Sequence, residues 1–187
     1  MRIIAGKMKG FSLFIPLDKR TRPLKDMVRE SIFNLLIHSN KISFELEKSN
    51  ILDLFSGSGS FGLECLSRKA SFVSFVEKEK NITKILKKNI KKLNLNKKTK
   101  IFPFDVMFFL KKKIAYKYNL IFCDPPFENN NIENLIELIF INKYLKKDGI
   151  MIIHRNKNTE DNIPACFHVI DERIYGNSKI IFGKFLF

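Results

Sequence analysis

Cysteine is scarce in this 187-residue chain: Cys65, Cys123 and Cys166 are the only three, and no two form a close pair. That excludes a disulfide framework and a paired-cysteine zinc signature. No apolar run approaches the roughly 18 residues that a membrane span needs. Residues 1–7 hold no continuous apolar stretch of signal-peptide length, so the protein is expected in the cytoplasm, off the membrane. Internal repeats and low-complexity tracts are lacking too. Acidic residues are few, with Asp+Glu 19 against Lys+Arg 34 and a net charge of +15. A polyanion is the natural ligand for such a surface. Arginine is also sparse, at seven of the 34 cations, in a chain heavy in Ile, Asn and Phe. Biased genome composition produces the same profile, so charge by itself is a weak pointer.

What is present is a globular mixture, 45% hydrophobic and 28% charged, enough for one domain with a sizeable core. Residues 2–16 predict two short strands around the turn-like Lys9-Gly10. Over 23–39, Leu24, Met27, Val28, Ile32, Leu35 and Leu36 recur at helical spacing. A polar linker over 39–50 leads into strand–helix alternation, with strands predicted at 51–55, 71–77, 100–104, 119–124 and 150–154. Two last strands, 166–173 and 179–187, join near Gly176 with no helix between them, so the last is expected to enter antiparallel. The expected fold is α/β: a seven-stranded, mostly parallel sheet with helices on both faces, preceded by an N-terminal β-hairpin and helix.

The strongest local signal is Asp53-Leu54-Phe55-Ser56-Gly57-Ser58-Gly59-Ser60-Phe61-Gly62. Its glycines, Gly57, Gly59 and Gly62, follow a strand and open a helix, which permits a tight turn and close ligand approach. Phe55 and Ser58 join them as candidate cofactor contacts. Glu77 ends the next strand, 20 residues after Gly57, where a carboxylate can accept from two ribose hydroxyls. Spacing alone fits a dinucleotide as well as S-adenosylmethionine. Asp53 discriminates: it would repel a pyrophosphate but favours the ammonium and sulfonium of S-adenosylmethionine. Asp105, after the third strand, suits an adenine amino group or the N-cap of the following helix, and one carboxylate can do both.

The fourth strand ends in Asp124-Pro125-Pro126-Phe127. Two prolines remove two backbone donors and make a stiff wall at the ligand-binding edge of the sheet. Phe127 offers a flat face for a base. An exocyclic amine conjugated with its ring is a poor nucleophile. A carboxylate accepting one of its N–H groups, with nearby carbonyls, pulls the lone pair out of conjugation. By contrast, Cys123 reads as a buried strand residue and His154 as a satisfied strand-end histidine.

Together these segments resemble the bacterial small-subunit (16S) ribosomal RNA guanine-N2 methyltransferases. The likeness runs through Arg2-Ile3-Ile4 with Gly6, Arg22-Pro23, Val28-Arg29-Glu30 with Phe33-Asn34, and the glycine turn to Glu64. It continues through Leu66-Ser67-Arg68, Glu77, Asn89 and Asp124 to Phe127. It implies a Rossmann-like class I methyltransferase fold, with Asp53, the glycines, Glu77 and Asp105 holding S-adenosylmethionine. Asp124, Pro125, Pro126 and Phe127 would then hold a flipped guanine for methylation at N2. Residues 46–187 form the expected methyltransferase domain and 1–45 a substrate-recognition arm. The chain departs from the family at Leu24, where Thr is usual after Arg-Pro, and at Met8 and Phe11, where the hairpin usually carries Trp and an extra Arg. His154-Arg155 stands where a glutamate is usual. Read from the residues alone, an adenine-N6 enzyme stays open, as does a non-catalytic RNA-binding assembly factor on the same fold. A nicotinamide oxidoreductase is disfavoured by Asp53 and Asp124.

Four of the seven arginines, Arg2, Arg20, Arg22 and Arg29, fall in the first 30 residues. Arginine forks onto phosphate and stacks on bases, so these and Lys9 are the candidate RNA contacts; Arg29 equally suits an ion pair within its helix. Residues 78–113 carry 13 lysines against Glu79 and Asp105, a net +11, largely on the polar face of an amphipathic helix. The expected partner of a monomeric enzyme is ribosomal RNA, naked or within a partly assembled small subunit, with no metal.

Overall fold

The strand segments are apolar on both faces, Ile51 and Leu52 being one example, as strands covered by helices on two sides must be. In a computed structural model describing residues 1–16, 24–113, 116–126 and 131–186 they form one sheet. Its strands are β1 (Asn50–Leu54), β2 (Phe72–Val76), β3 (Thr99–Phe102), β4 (Tyr118–Cys123), β5 (Leu145–Asn156), β6 (Phe167–Tyr175) and β7 (Ser178–Phe185). Their order is β3-β2-β1-β4-β5-β7-β6. The first five pair in parallel, and β7 pairs antiparallel with both β5 and β6. The expected seven strands and the antiparallel last strand are both found. Arg20, Arg22 and Phe127 lie outside the described residues.

Period-two alternation splits the core between the sheet's faces. Ile51, Phe75, Leu120, Phe122 and Ile152 pack under α1 (Asp26–His38), α2 (Ser60–Ser67) and α3 (Lys80–Lys92). Leu52, Leu54, Val76, Ile121 and Ile153 pack under α4 (Val106–Leu110) and α5 (Ile132–Ile141). A stack of rings links α1, α2 and β4. Phe33 and Phe61 lie 5.2 Å apart between centroids, and Phe61 and Phe122 3.8 Å, both near parallel. Among the described residues no helix is long and apolar enough to cross a membrane.

The expected N-terminal hairpin is found as a short antiparallel pairing about the Arg2–Ser12 bridge. Ile3 N donates to Phe11 O and Gly10 N to Ile3 O, each at 2.9 Å, and Leu13 N donates to Met1 O at 3.0 Å, while other donors of the segment reach α2. Ile4 and Ala5 donate to the Glu64 carboxylate at 2.7 and 2.9 Å, and Lys7 and Met8 donate to the carbonyl and hydroxyl of Ser67. Gly6 lies against Ser67 with φ +80°, where a Cβ would sit 2.0 Å from the Ser67 carbonyl oxygen. Buried Ile3 and Leu13 of this segment share the core under α1 and α2. At its far end, buried Asn89 of α3 accepts from Phe14 N at 2.8 Å. The same side chain donates to Phe14 O and to Ser58 O, each at 3.0 Å. One amide thereby ties the N-terminal segment to the glycine turn.

Arg29, a candidate RNA contact by sequence, is fully buried. It donates to Arg2 O and to Asp26 Oδ1, and its Nε lies 4.0 Å from Glu64. Burial lowers its pKa, with Glu64 and Asp26 pulling the other way. Phosphate cannot reach such a guanidinium, so Arg29 is a brace between α1 and the first residues. Arg2 and Lys9 are exposed.

Candidate active site

The sheet order reverses at β1: β2 and β3 lie on one side of it and β4 on the other. Ligands of such folds bind in the crevice outside the carboxyl ends of the strands at this switch point. Four carboxylates expected from sequence meet that rim: Asp53 near the end of β1, Glu77 after β2, Asp105 after β3 and Asp124 after β4.

Pairing of Asp53 with Phe122 and Leu54 with Cys123 sets Asp124 beside the β1 exit, where its N–H reaches Leu54 O at 3.4 Å. From that exit the chain turns through Phe55 (φ 55°), Gly57 (φ 55°) and Gly59 (φ 84°) into α2. The glycines do different work. A Cβ on Gly59 would strike Leu86 at 2.4 Å, and one on Gly62 would strike Phe75 at 2.4 Å, so these two permit packing. A Cβ on Gly57 meets nothing within 4 Å, leaving its backbone open to a ligand.

Asp53 is 1% exposed and accepts from Gly62 N at 3.0 Å, bracing the helix start. Burial pushes its carboxyl well above the usual range; the Gly62 N–H opposes this, and the charges of Asp124 and Glu77 add to it. A raised folded-state pKa means that the unfolded chain gives up this proton first. Stability from this group is therefore full at low pH and lost as pH rises past the ordinary carboxylate range. Asp53→Asn keeps an acceptor for Gly62 and removes the buried charge. Its melting temperature is expected to exceed wild type by a few degrees at pH 7.5, since about 1 kcal/mol is worth about 2–4 °C at this size. The gain should vanish near pH 3.5, and an equal gain at both pH values in calorimetry would exclude a charge effect.

Glu77 is half-buried and already oriented: Oε2 accepts from Gly57 N at 3.0 Å and Oε1 from Glu79 N at 2.9 Å. Each oxygen keeps a second lone pair. Asp105 is the N-cap of α4, accepting from Met107 N at 2.9 Å, while Lys78 Nζ lies 3.5 Å from its other oxygen. Burial raises the thiol of Cys123, so it is an inert strand residue as expected.

Asp124 holds a partner that sequence reasoning missed. Its Oδ1 lies 2.7 Å from His154 Nδ1, and His154 Nε2 lies 2.9 Å from Ser178 Oγ on β7. The next residue, Arg155, is also fully buried and ion-paired with Asp161 at 2.9 Å. Its Nη1 donates to Pro126 O at 3.3 Å, so two successive β5 residues grip the Asp-Pro-Pro segment. A histidine and an arginine inside an apolar strand are the signal that pointed here.

The family model described as Conserved hypothetical protein 95 matches residues 1–184. The chain belongs to this family. Ribosomal RNA small subunit methyltransferase D of Buchnera aphidicola is 32% identical over 172 residues, covering 92% of this chain and 86% of its own length. The protein of that name in Escherichia coli K12 is 30% identical over 177 residues, 94% of this chain and 85% of its own. Among solved structures, an Escherichia coli protein described as a candidate methyltransferase superposes with TM-score 0.84 at 28% identity, covering 99% of this chain and 97% of that one. The resemblance read from sequence and the class I fold both hold. His154 and Arg155, singled out in the sequence as a departure, are the two residues that hold Asp124 and Pro126.

Proposed function

We propose that the chain transfers a methyl group from S-adenosylmethionine to the exocyclic N2 amine of a guanine in small-subunit ribosomal RNA. The observation that carries this reading is the rim itself: an Asp-Pro-Pro wall faces an open glycine turn across the switch point, among carboxylates. Relatives that cover most of this chain are named as small-subunit rRNA methyltransferases, which supports rRNA as the substrate class.

The residues fit the cofactor. Gly57 leaves room for close approach, and Glu77 has lone pairs free for ribose hydroxyls. Burial raises Asp53 and the charges of Asp124 and Glu77 add to the rise, a field that a cationic ligand relieves and a pyrophosphate would worsen. When bound, S-adenosylmethionine supplies an electrophilic methyl on a sulfonium. Asp105 keeps an oxygen beyond its capping role for an adenine amine. Phe55 and Ser58 complete the cofactor side.

On the other side, Asp124 accepts one amine N–H through Oδ2, Oδ1 being engaged by His154. That bond draws the nitrogen lone pair out of conjugation and aims it. A charge-assisted bond contributes about 1.5–3 kcal/mol. Holding nitrogen and methyl in line makes about 7–11 kcal/mol available. Pro125 and Pro126 form the wall against which the flipped base rests, and the proposed role of Phe127 is to stack on that base. Residues 1–45, with exposed Arg2 and Lys9 and with Arg20 and Arg22, are the RNA-facing arm on the 46–187 catalytic body.

The test is nucleoside mass spectrometry of small-subunit rRNA from a strain lacking the gene, with and without complementation. Naked RNA and partly assembled particles are then compared as substrates in vitro. Loss and restoration of one N2-methylguanosine is expected. An N6-methyladenosine would replace guanine by adenine, and no methyl change would leave a non-catalytic RNA-binding protein.

A further inference from the structure

We infer that His154 is a positioning residue for Asp124, held in register by Ser178. The inference rests on the reading of Asp124 as acceptor of the target amine. Asp124 has two oxygens and must present one to substrate. Its side chain is 22% exposed, so water and alternative rotamers compete for it. His154 Nδ1, at 2.7 Å, engages Oδ1 from a ring that is itself 7% exposed. A carboxylate only accepts, so Nδ1 carries the hydrogen of this bond. Nε2 lies 2.9 Å from the Ser178 hydroxyl, which can donate or accept. The Asp124 carboxylate thus fixes the hydrogen on Nδ1, and Ser178 anchors the far side of the ring.

The three side chains come from three elements: the end of β4, β5 and the start of β7. Pairing of Cys123 with Ile153 and of Asn156 with Ser178 fixes their separation. The consequence is an asymmetric carboxylate, with Oδ1 anchored in the protein and Oδ2 left for the amine. This is orientation of a catalytic group by an outer partner, as in histidine–carboxylate pairs elsewhere.

The experiment compares wild type with His154→Ala, His154→Asn, Ser178→Ala and Asp124→Ala, using S-adenosylmethionine and small-subunit RNA from a strain lacking the gene. Asparagine sets an amide N–H close to the Nδ1 position and restores the donor. His154→Ala is expected to lower kcat about 10–100-fold, the worth of one charge-assisted bond. KM for both substrates should stay within about twofold, because Asp124 contributes to aim and not to docking. His154→Asn should recover most of kcat, and Ser178→Ala should lose about 3–10-fold because the ring loses its second anchor. Wild-type kcat in His154→Ala, or a loss that asparagine does not repair at equal melting temperature, overturns the proposal. Where His154→Ala fails to fold, Ser178→Ala decides, and unchanged kcat there overturns it as well. Turnover in Asp124→Ala would sink the underlying reading, whereas an inactive Asp124→Ala beside a fully active His154→Ala sinks this proposal alone.

Discussion

Asp124→Ala is expected to lose methyl transfer by at least about 10²–10³-fold in kcat while retaining its affinity for S-adenosylmethionine. The scale is that of removing one preorganised group from a transition state. Cofactor affinity should survive because the open turn at Gly57 and the Glu77 carboxylate belong to β1 and β2, not to β4. Asp124→Asn is the sharper variant. Its single carbonyl oxygen would be claimed by His154 Nδ1–H, turning the amide NH2 toward the substrate amine, donor against donor. The near-isosteric change should therefore be about as damaging as alanine. Single-turnover kinetics with calorimetric titration of the cofactor checks both. Asparagine turning over near the wild-type rate would show that geometry alone, without an acceptor, suffices.

The parts of this site that lie within one βα unit were readable from sequence. Gly57 to Gly62 and Glu77 announce themselves because strand, turn, helix and next strand are contiguous, and the turn chemistry is local. Asp124 was readable for the same reason: two prolines stop a strand wherever they occur. What escaped depends on register between distant strands. His154 faces Asp124 only because β4 and β5 pair with Cys123 opposite Ile153, and no local pattern sets that offset. The two strands are bridged irregularly, with a shift between Tyr118 and Leu120, and Lys146-Lys147-Asp148 hid the first half of β5 in a polar run.

The N-terminal hairpin was legible, but the surface on which it docks was not. Its strand propensity and turn are local, whereas Glu64 and Ser67 of α2, which take the donors of Ile4, Ala5 and Met8 that the hairpin leaves over, lie far along the chain. Of the two sequence readings of Arg29 the ion pair within its helix is the one found, with Asp26, though the sequence does not say that the first residues cover that face. One sequence cue was available: Glu64 stands in the otherwise apolar Phe61-Gly62-Leu63-Glu64-Cys65-Leu66. An acid in such a helix predicts a buried partner.

That acid carries the largest expected effect on stability. Glu64 is fully buried and accepts from Ile4 N, Ala5 N and Arg68 Nε at 2.7–2.9 Å, with Arg29 Nε 4.0 Å away. Glu64→Ala removes the charge that faces Arg68 and Arg29 and opens two backbone donors. Breaking a buried pair from one side costs about 3–5 kcal/mol. At about 2–4 °C per kcal/mol the melting temperature should fall by roughly 6–20 °C. Glu64→Gln should fare little better, since its NH2 would face donors on every side. Amide exchange at Ile4 and Ala5 should accelerate far more than at β1 residues, because the clamp holds the segment and not the sheet. Glu64→Leu combined with Arg29→Met removes both charges and should recover part of the loss, leaving the Ile4 and Ala5 N–H groups as the remaining deficit. A double variant no more stable than Glu64→Leu alone would mean that Arg29 draws its stability from Arg2 O and Asp26 and that Glu64 serves the backbone of the N-terminal segment.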